Sequence, residues 1–247
     1  MPHDTPAPLM TVVLASHNRG KLAELRELFR GLPVELVAVG ELLPTAEPVP
    51  ETGDTFEKNA YLKARAIAEL TQLVTIADDS GLEVDALGGR PGVRSARYAR
   101  EGATDAENNA ALLEALREVE DTARTARFRC VMAMVDPFAG LDAPVYASGA
   151  CEGRIASSPT GESGFGYDPL FVVAEESELE PVSESSASAT PAPRRGHHAV
   201  GRTYAELDEA TKNGLSHRGR AARALRPLLA ELVERRRAEA ARVLEEG

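Results

Sequence analysis

A short apolar run, Leu73-Val74-Thr75-Ile76-Ala77, leads directly into two adjacent aspartates, Asp78-Asp79, and then Ser80-Gly81. The run has the length and β-branched content of a buried strand. Neighbouring carboxylates at the end of such a strand repel each other and lose hydration. Ligands of open α/β sheets sit beyond the carboxyl ends of strands. One reading is therefore a Mg²⁺ site, with hard oxygen ligands for a hard ion. The other is a solvated turn, since Asp and Ser favour turns and Gly81 can take a positive φ. The four residues alone leave both open.

The rest of the chain reads as a succession of strands and helices. Met10 to Ala15 reads as a first strand, Ser16-His17-Asn18-Arg19-Gly20-Lys21 as a turn, and Leu22, Leu25, Leu28 and Phe29 recur at helical spacing. A polar turn before a helix can offer N–H groups to a phosphate, with Lys21 adding charge. The same residues also make an ordinary turn with Ser and Asn as caps, and such turns are common. Val34 to Val39 predicts a second strand. Asp54 with Glu57 predicts a capping box for a helix that buries Phe56, Ala60, Ala64 and Ile67. Lys63 lies beside that stripe. Glu51 precedes the helix, where it can ligate a metal or complement the helix dipole.

Thr104 with Glu107 predicts a further capped helix, running to about Val119. Strands are predicted at Phe128–Val135 and Val145–Cys151, paired as a hairpin, with a short one at Leu170–Val173. Between them Gly161 to Pro169 frames Phe165 and Tyr167 with glycines. Such a loop can stack a flat base on exposed rings, or pin itself to the core through them. Residues 1–9 read as a disordered tail, and residues 176–202, rich in Ser, Ala and Pro, as a disordered insertion. Residues 10–247 otherwise fit one sizeable domain or two small lobes. His197-His198 has no companion ligands and is not read as a metal site. A long helix begins near His217 and Arg218, close to Lys212; such cations near a helix start suit an anion.

Composition narrows the partners. A net charge of −11 argues against nucleic acid and anionic membranes as partners. No stretch approaches a membrane-spanning helix. Two cysteines and the lack of a secretory pattern predict reduced thiols and a cytoplasmic setting. Of 28 basic residues only Lys21, Lys58, Lys63 and Lys212 are lysines. Where Arg is the default, a retained Lys suggests a point charge aimed at one oxygen.

Taken together, several motifs resemble those of the inosine/xanthosine triphosphate pyrophosphatases. They are Ser16 to Lys21, Glu51-Thr52-Gly53, Asn59-Ala60 through Lys63-Ala64, Ala77 to Leu82, Gly88-Gly89 through Tyr98, Phe165 to Pro169, and Ser216 to Gly219. The resemblance implies an elongated mixed-sheet α/β fold of two lobes with a central cleft, and a homodimer. It implies Mg²⁺-dependent hydrolysis of ITP, dITP and XTP to the monophosphate and pyrophosphate, clearing them from the nucleotide pool. By position, Ser16, Asn18, Lys21 and Ser80 would hold the substrate's phosphate side. Asp79 would be general base and metal ligand, Glu51 a second ligand, and Asp78 and Lys63 would assist catalysis. Phe165, Gly166, Tyr167 and Asp168 would stack on and read the base; Lys212, His217 and Arg218 would read its 6-keto edge and the ribose side. His17, where a small residue is expected, crowds the first turn. A related pyrophosphatase for other nucleotides is the alternative within enzymes. A silent nucleotide-binding module is the alternative outside them, and the intact carboxylates argue against it.

Overall fold

A computed structural model describes residues 10–174 and 199–246. The predicted tail and nearly all of the predicted insertion, including His197-His198, lie outside the described residues. Six strands form one mixed sheet in the order β2-β1-β3-β4-β5-β6. They are β1 (Met10–Leu14), β2 (Val34–Ala38), β3 (Val74–Val84), β4 (Thr125–Val135), β5 (Val145–Ile155) and β6 (Phe171–Val173). Strands β2 and β3 both run parallel to β1, whereas β6 runs antiparallel to β5. The α-helices are α1 (Arg19–Leu28), α2 (Val39–Leu42), α3 (Phe56–Thr71), α4 (Asp105–Ala115), α5 (Glu209–Leu215) and α6 (His217–Glu246).

The chain divides into two compact units. The first comprises residues up to Ser80, Arg129–Gly149 and those from Arg218 onward. Its core joins Val12 and Leu14 of β1, Leu22 and Leu25 of α1, Ile76 of β3, Met132 of β4, and Leu225 and Leu229 of α6. The helical spacing of Leu22, Leu25 and Phe29 turns one face of α1 inward, as the sequence predicts, and all three are buried. The second unit comprises Gly81–Phe128 and Ala150–His217. Its core gathers Leu82 and Val84, Leu112 and Leu116, Ile155, Leu170, Phe171 and Tyr204. Phe128 stacks against Tyr204, with ring centroids 5.5 Å apart, and against His217 at 5.3 Å.

Two expectations need correction. Strand β3 does not stop at the aspartates: it passes through Asp78, Asp79, Ser80 and Gly81 and ends at Val84. The solvated-turn reading is thereby excluded, and so is a site placed beyond a strand end. The apolar run is buried on both faces, and Leu82-Glu83-Val84 then alternates, which is itself a strand pattern. Helix α3 is capped by Thr55, whose hydroxyl accepts from Lys58 N–H at 3.2 Å, and not by Asp54. Glu57, freed from a capping box, pairs with Arg129 at 2.6 Å. The Thr104–Glu107 box on α4 forms as read, with the Thr104 N–H donating to Glu107 Oε2 at 2.7 Å.

Candidate active site

In the first unit, burial and charge meet at Asp78 and Asp79. Asp78 is 4 % exposed. A carboxylate this deep must be paired, and it is. Lys21 Nζ donates to both of its oxygens, at 2.9 and 2.8 Å, and Arg218 Nε approaches Oδ2 at 3.3 Å. Arg218 also meets Glu24 at 3.3 Å. Burial alone would raise the Asp78 carboxyl, but the two cations hold it well below the usual carboxylate range. Asp78 thus gathers Lys21 from α1 and Arg218 from α6 onto β3.

Asp79 points its oxygens at different partners. Lys63 Nζ lies 3.2 Å from Oδ1 and 2.6 Å from Glu51 Oε1, so one ammonium is shared by two carboxylates. Asn59 Nδ2 donates to Asp79 Oδ2 at 3.1 Å. Burial pushes the Asp79 carboxyl up; Lys63 opposes this, and the nearby Glu51 carboxylate adds to it. Burial would lower Lys63, but Asp79 and Glu51 raise it, so the ammonium stays charged. Neighbouring aspartates therefore sit in opposite electrostatic settings.

Asn59 was not assigned a role from sequence. It is fully buried, and besides holding Asp79 it accepts from Gly53 N–H at 2.7 Å. A Cβ on Gly53 would stand 2.6 Å from Asn59 Oδ1, so only glycine allows this approach. The signal was legible: a polar residue beside the buried stripe of α3 needs partners.

The first turn behaves as a helix cap. Asn18 is the N-cap of α1, and its side-chain oxygen accepts from Gly20 and Lys21 N–H at 2.8 and 3.2 Å. Ser16 Oγ accepts from Asn18 N–H at 3.2 Å. A cavity of about 210 Å³ is lined by Ser16, His17, Lys21, Glu51, Lys63 and Asp78, with Val39 and Ile67 among its apolar walls. His17 is itself one of its walls. The imidazole leans toward Gly40, where an added Cβ would come within 3.2 Å of the ring. Ser80, half-buried, ends the first of the segments that make up this unit.

The second unit holds the other predicted residues. Asp168 is buried; its Oδ2 accepts from Phe165 N–H at 3.0 Å and pairs with Lys212. The Lys212 ammonium also lies 5.4 Å from the Phe165 ring centroid and 5.6 Å from that of Tyr204. Gly164, at φ +89°, makes room: a Cβ there would strike Asp168 Oδ2 and stand 2.8 Å from Lys212 Nζ. The two aromatics divide the alternatives raised by the sequence. Phe165 is 74 % exposed, whereas Tyr167 is buried and donates its hydroxyl to Ser95 O at 2.8 Å. Gly166 is held by Asp105 and Asn109, neither singled out from sequence. His217 and Arg218, adjacent in the chain, diverge: His217 stacks on Phe128 and Arg218 joins Asp78.

The fold and this chemistry define a class: an α/β protein with a buried carboxylate–ammonium cluster beside a capped helix start, suited to a polyanion and a hard cation. Comparison with known proteins places it more closely. The Ham1 family model matches residues 12–190, and the chain belongs to the Ham1 family. It is 45% identical over 212 residues to a dITP/XTP pyrophosphatase of Desulforamulus reducens, covering 86% of this chain and 92% of that one. It is 46% identical over 221 residues to a dITP/XTP pyrophosphatase of Nitratidesulfovibrio vulgaris, covering 87% and 93%. A solved HAM1 protein from Coxiella burnetii superposes with a TM-score of 0.73 at 41% identity, covering 90% of this chain and 100% of that one.

Proposed function

We propose that the protein hydrolyses noncanonical purine nucleoside triphosphates, dITP, ITP and XTP, to the monophosphate and pyrophosphate, and thereby removes them from the nucleotide pool. The observation that carries the reaction is the Lys63 ammonium shared between Glu51 and Asp79. Two carboxylates converge there on one positive charge, a donor set that also fits a hard dication. Among the described residues no group of three His, Cys, Asp or Glu forms a metal cage. Two carboxylates with the rest from water and substrate phosphate is the usual Mg²⁺ arrangement. Glu51 and Asp79 would hold the ion, and when bound it would neutralise phosphate oxygens and acidify water.

The chain's own residues supply the remainder. Asp79, its carboxyl raised above the ordinary value by burial and so a better proton acceptor, is suited to take a proton from the attacking water. Lys63 stays charged and can stabilise phosphoryl oxygens as negative charge builds. Lys21, held on Asp78 in the free protein, would offer its ammonium to the triphosphate with Ser16. Asp78, fixed as an anion, keeps Lys21 and Arg218 oriented. In the second unit the exposed Phe165 ring would stack on the base, and Lys212, steadied by Asp168, would donate to a 6-keto oxygen. Adenine presents an amino group there, so a donor would be left unpaired, which rejects strongly. Assembly as a homodimer, as the family resemblance implies, and a cytoplasmic setting, as the two cysteines suggest, belong to the same proposal. Among the described residues no helix is long and apolar enough to cross a membrane.

The test is pyrophosphate release from ITP, XTP, dATP and GTP, each with and without Mg²⁺. Fast Mg²⁺-dependent release from ITP and XTP, with little from dATP, is expected; GTP also carries a 6-keto oxygen, so little release from it would require a second contact that reads the 2-amino group. Release that is equal across the four bases would remove the base-reading assignment, and release from none would remove the reaction.

A further inference from the structure

One glycine of the Phe165 to Asp168 loop is gripped at both of its backbone polar groups by a single helix. Gly166 N–H donates to Asp105 Oδ2 at 2.7 Å, and Asn109 Nδ2 donates to Gly166 O at 2.9 Å. Asp105 and Asn109 lie four residues apart on α4, so they share a face. Asp105 is the first residue of that helix, where a carboxylate complements the dipole. Gly166 has φ +60°, and an added Cβ would meet nothing within 4 Å. Its requirement for glycine is therefore conformational: the left-handed backbone lets both polar groups reach α4.

The bond to a carbonyl fixes the orientation of the Asn109 amide, since the reversed amide would oppose two oxygens. Asn109 Oδ1 is then buried without a hydrogen-bond partner. An orphaned acceptor is costly. An apolar residue of similar shape would avoid that cost but would release Gly166. The neighbouring Asn108 serves a different segment: its Oδ1 accepts from Ala99 N–H at 3.0 Å and its Nδ2 donates to Ala96 O at 3.2 Å. Gly166 stands between the exposed Phe165 ring and buried Tyr167. The Phe165 N–H is already tied to Asp168, and Tyr167 to Ser95. The grip from α4 removes the remaining freedom of the peptide that follows Phe165.

We infer that Asp105 and Asn109 are positioning residues for base recognition: they hold the Gly166 peptide so that the Phe165 ring and the Asp168–Lys212 pair present one fixed surface to a purine. The inference rests on the proposed reaction and names residues outside the predicted site that set its base preference.

The experiment compares the full-length wild type with Asn109→Ala, Asp105→Ala, Asp105→Asn and Asn108→Ala. It reads kcat/KM for ITP and for ATP, and inhibition by inorganic pyrophosphate, which carries no base. Losing one such hydrogen bond should raise KM for ITP about threefold to tenfold in each of the two position-105 and position-109 alanine variants and shrink the ITP-over-ATP preference by a similar factor. Pyrophosphate inhibition should stay at the wild-type value. Asp105→Asn, which keeps an oxygen for Gly166 N–H, should retain most of the preference. Asn108→Ala should lower Tm without moving it. An unchanged preference in both alanine variants, a parallel weakening of pyrophosphate inhibition, or an equal shift in Asn108→Ala would overturn the inference. A wild type with no preference for ITP would instead sink the proposed function itself.

Discussion

Each unit pairs a lysine with an aspartate, but the two pairs are built differently. In the first, Asp79 sits within an eleven-residue strand, and its lysine is shared with a second carboxylate, Glu51. In the second, Asp168 anchors a glycine-framed loop, and its lysine leans on two aromatic rings. The strand pair has little freedom; its chemistry is set by burial and by the balance of charge. The loop pair depends on backbone geometry, with Gly164 and Gly166 both at positive φ. Rigid strands fix charges where a reaction needs strong, oriented fields, whereas loops held at a few points present shape.

The comparison breaks first at Asp79. Asp79→Asn keeps the shape of the side chain but removes the proposed proton acceptor, and should lower kcat by about a thousandfold or more, within the range general-base removal can reach together with loss of a proposed metal ligand. Steady-state pyrophosphate release checks this, and a variant within tenfold of wild type would dismiss the role assigned to Asp79.

Next in size is a contrast of stability between the two neighbours in metal-free protein. The depressed Asp78 carboxyl contributes stability that is present above the ordinary Asp range and is lost as pH falls through its folded value. Asp78→Asn at neutral pH leaves Lys21 and Arg218 short of an anion, and should cost roughly 3 kcal/mol, the low end for breaking a buried pair. Asp79 has the opposite sign. A raised carboxyl contributes stability below its unfolded value that disappears as pH rises through the folded one, so the ionised form is a burden at neutral pH. Asp79→Asn should therefore leave Tm unchanged or raise it. Thermal melts in chelator at neutral pH and again near pH 4 decide the matter: the gap between the two variants should narrow in acid. Equal destabilisation by both would show that the two aspartates do not differ.

The smallest effect belongs to the loop. Phe165→Ala removes an exposed ring, so Tm should hold while KM for ITP rises about tenfold, equivalent to the ~1–3 kcal/mol of a base stacked on an aromatic. Titration of the nucleotide against KM and melting temperature separates stacking from folding. A Tm drop with unchanged KM would return Phe165 to the core.

The amino-acid order determined the features that close within a few residues. Asn18 capping Gly20 and Lys21, the Thr104–Glu107 box, and the helical stripe of Leu22, Leu25 and Phe29 all rest on local spacing. So did the identity of the chemical groups, because the scarcity of lysine and the paired aspartates are visible without a fold. The cap of α3 went to Thr55 although Asp54 is the better N-cap by propensity, because two adjacent residues could each serve and the tertiary structure chose where the helix begins. What only the tertiary structure decided are the partners far along the chain. Lys21 meets Asp78 across 57 positions, and Arg218 meets it across 140. Asp105 finds Gly166 across 61. No local pattern encodes such contacts, since they depend on how strands are ordered in the sheet and which helix face lies against which loop. The continuation of β3 through its own aspartates has the same cause. Carboxylates break a strand in isolation, but cations delivered by α1, α3 and α6 make their burial tolerable.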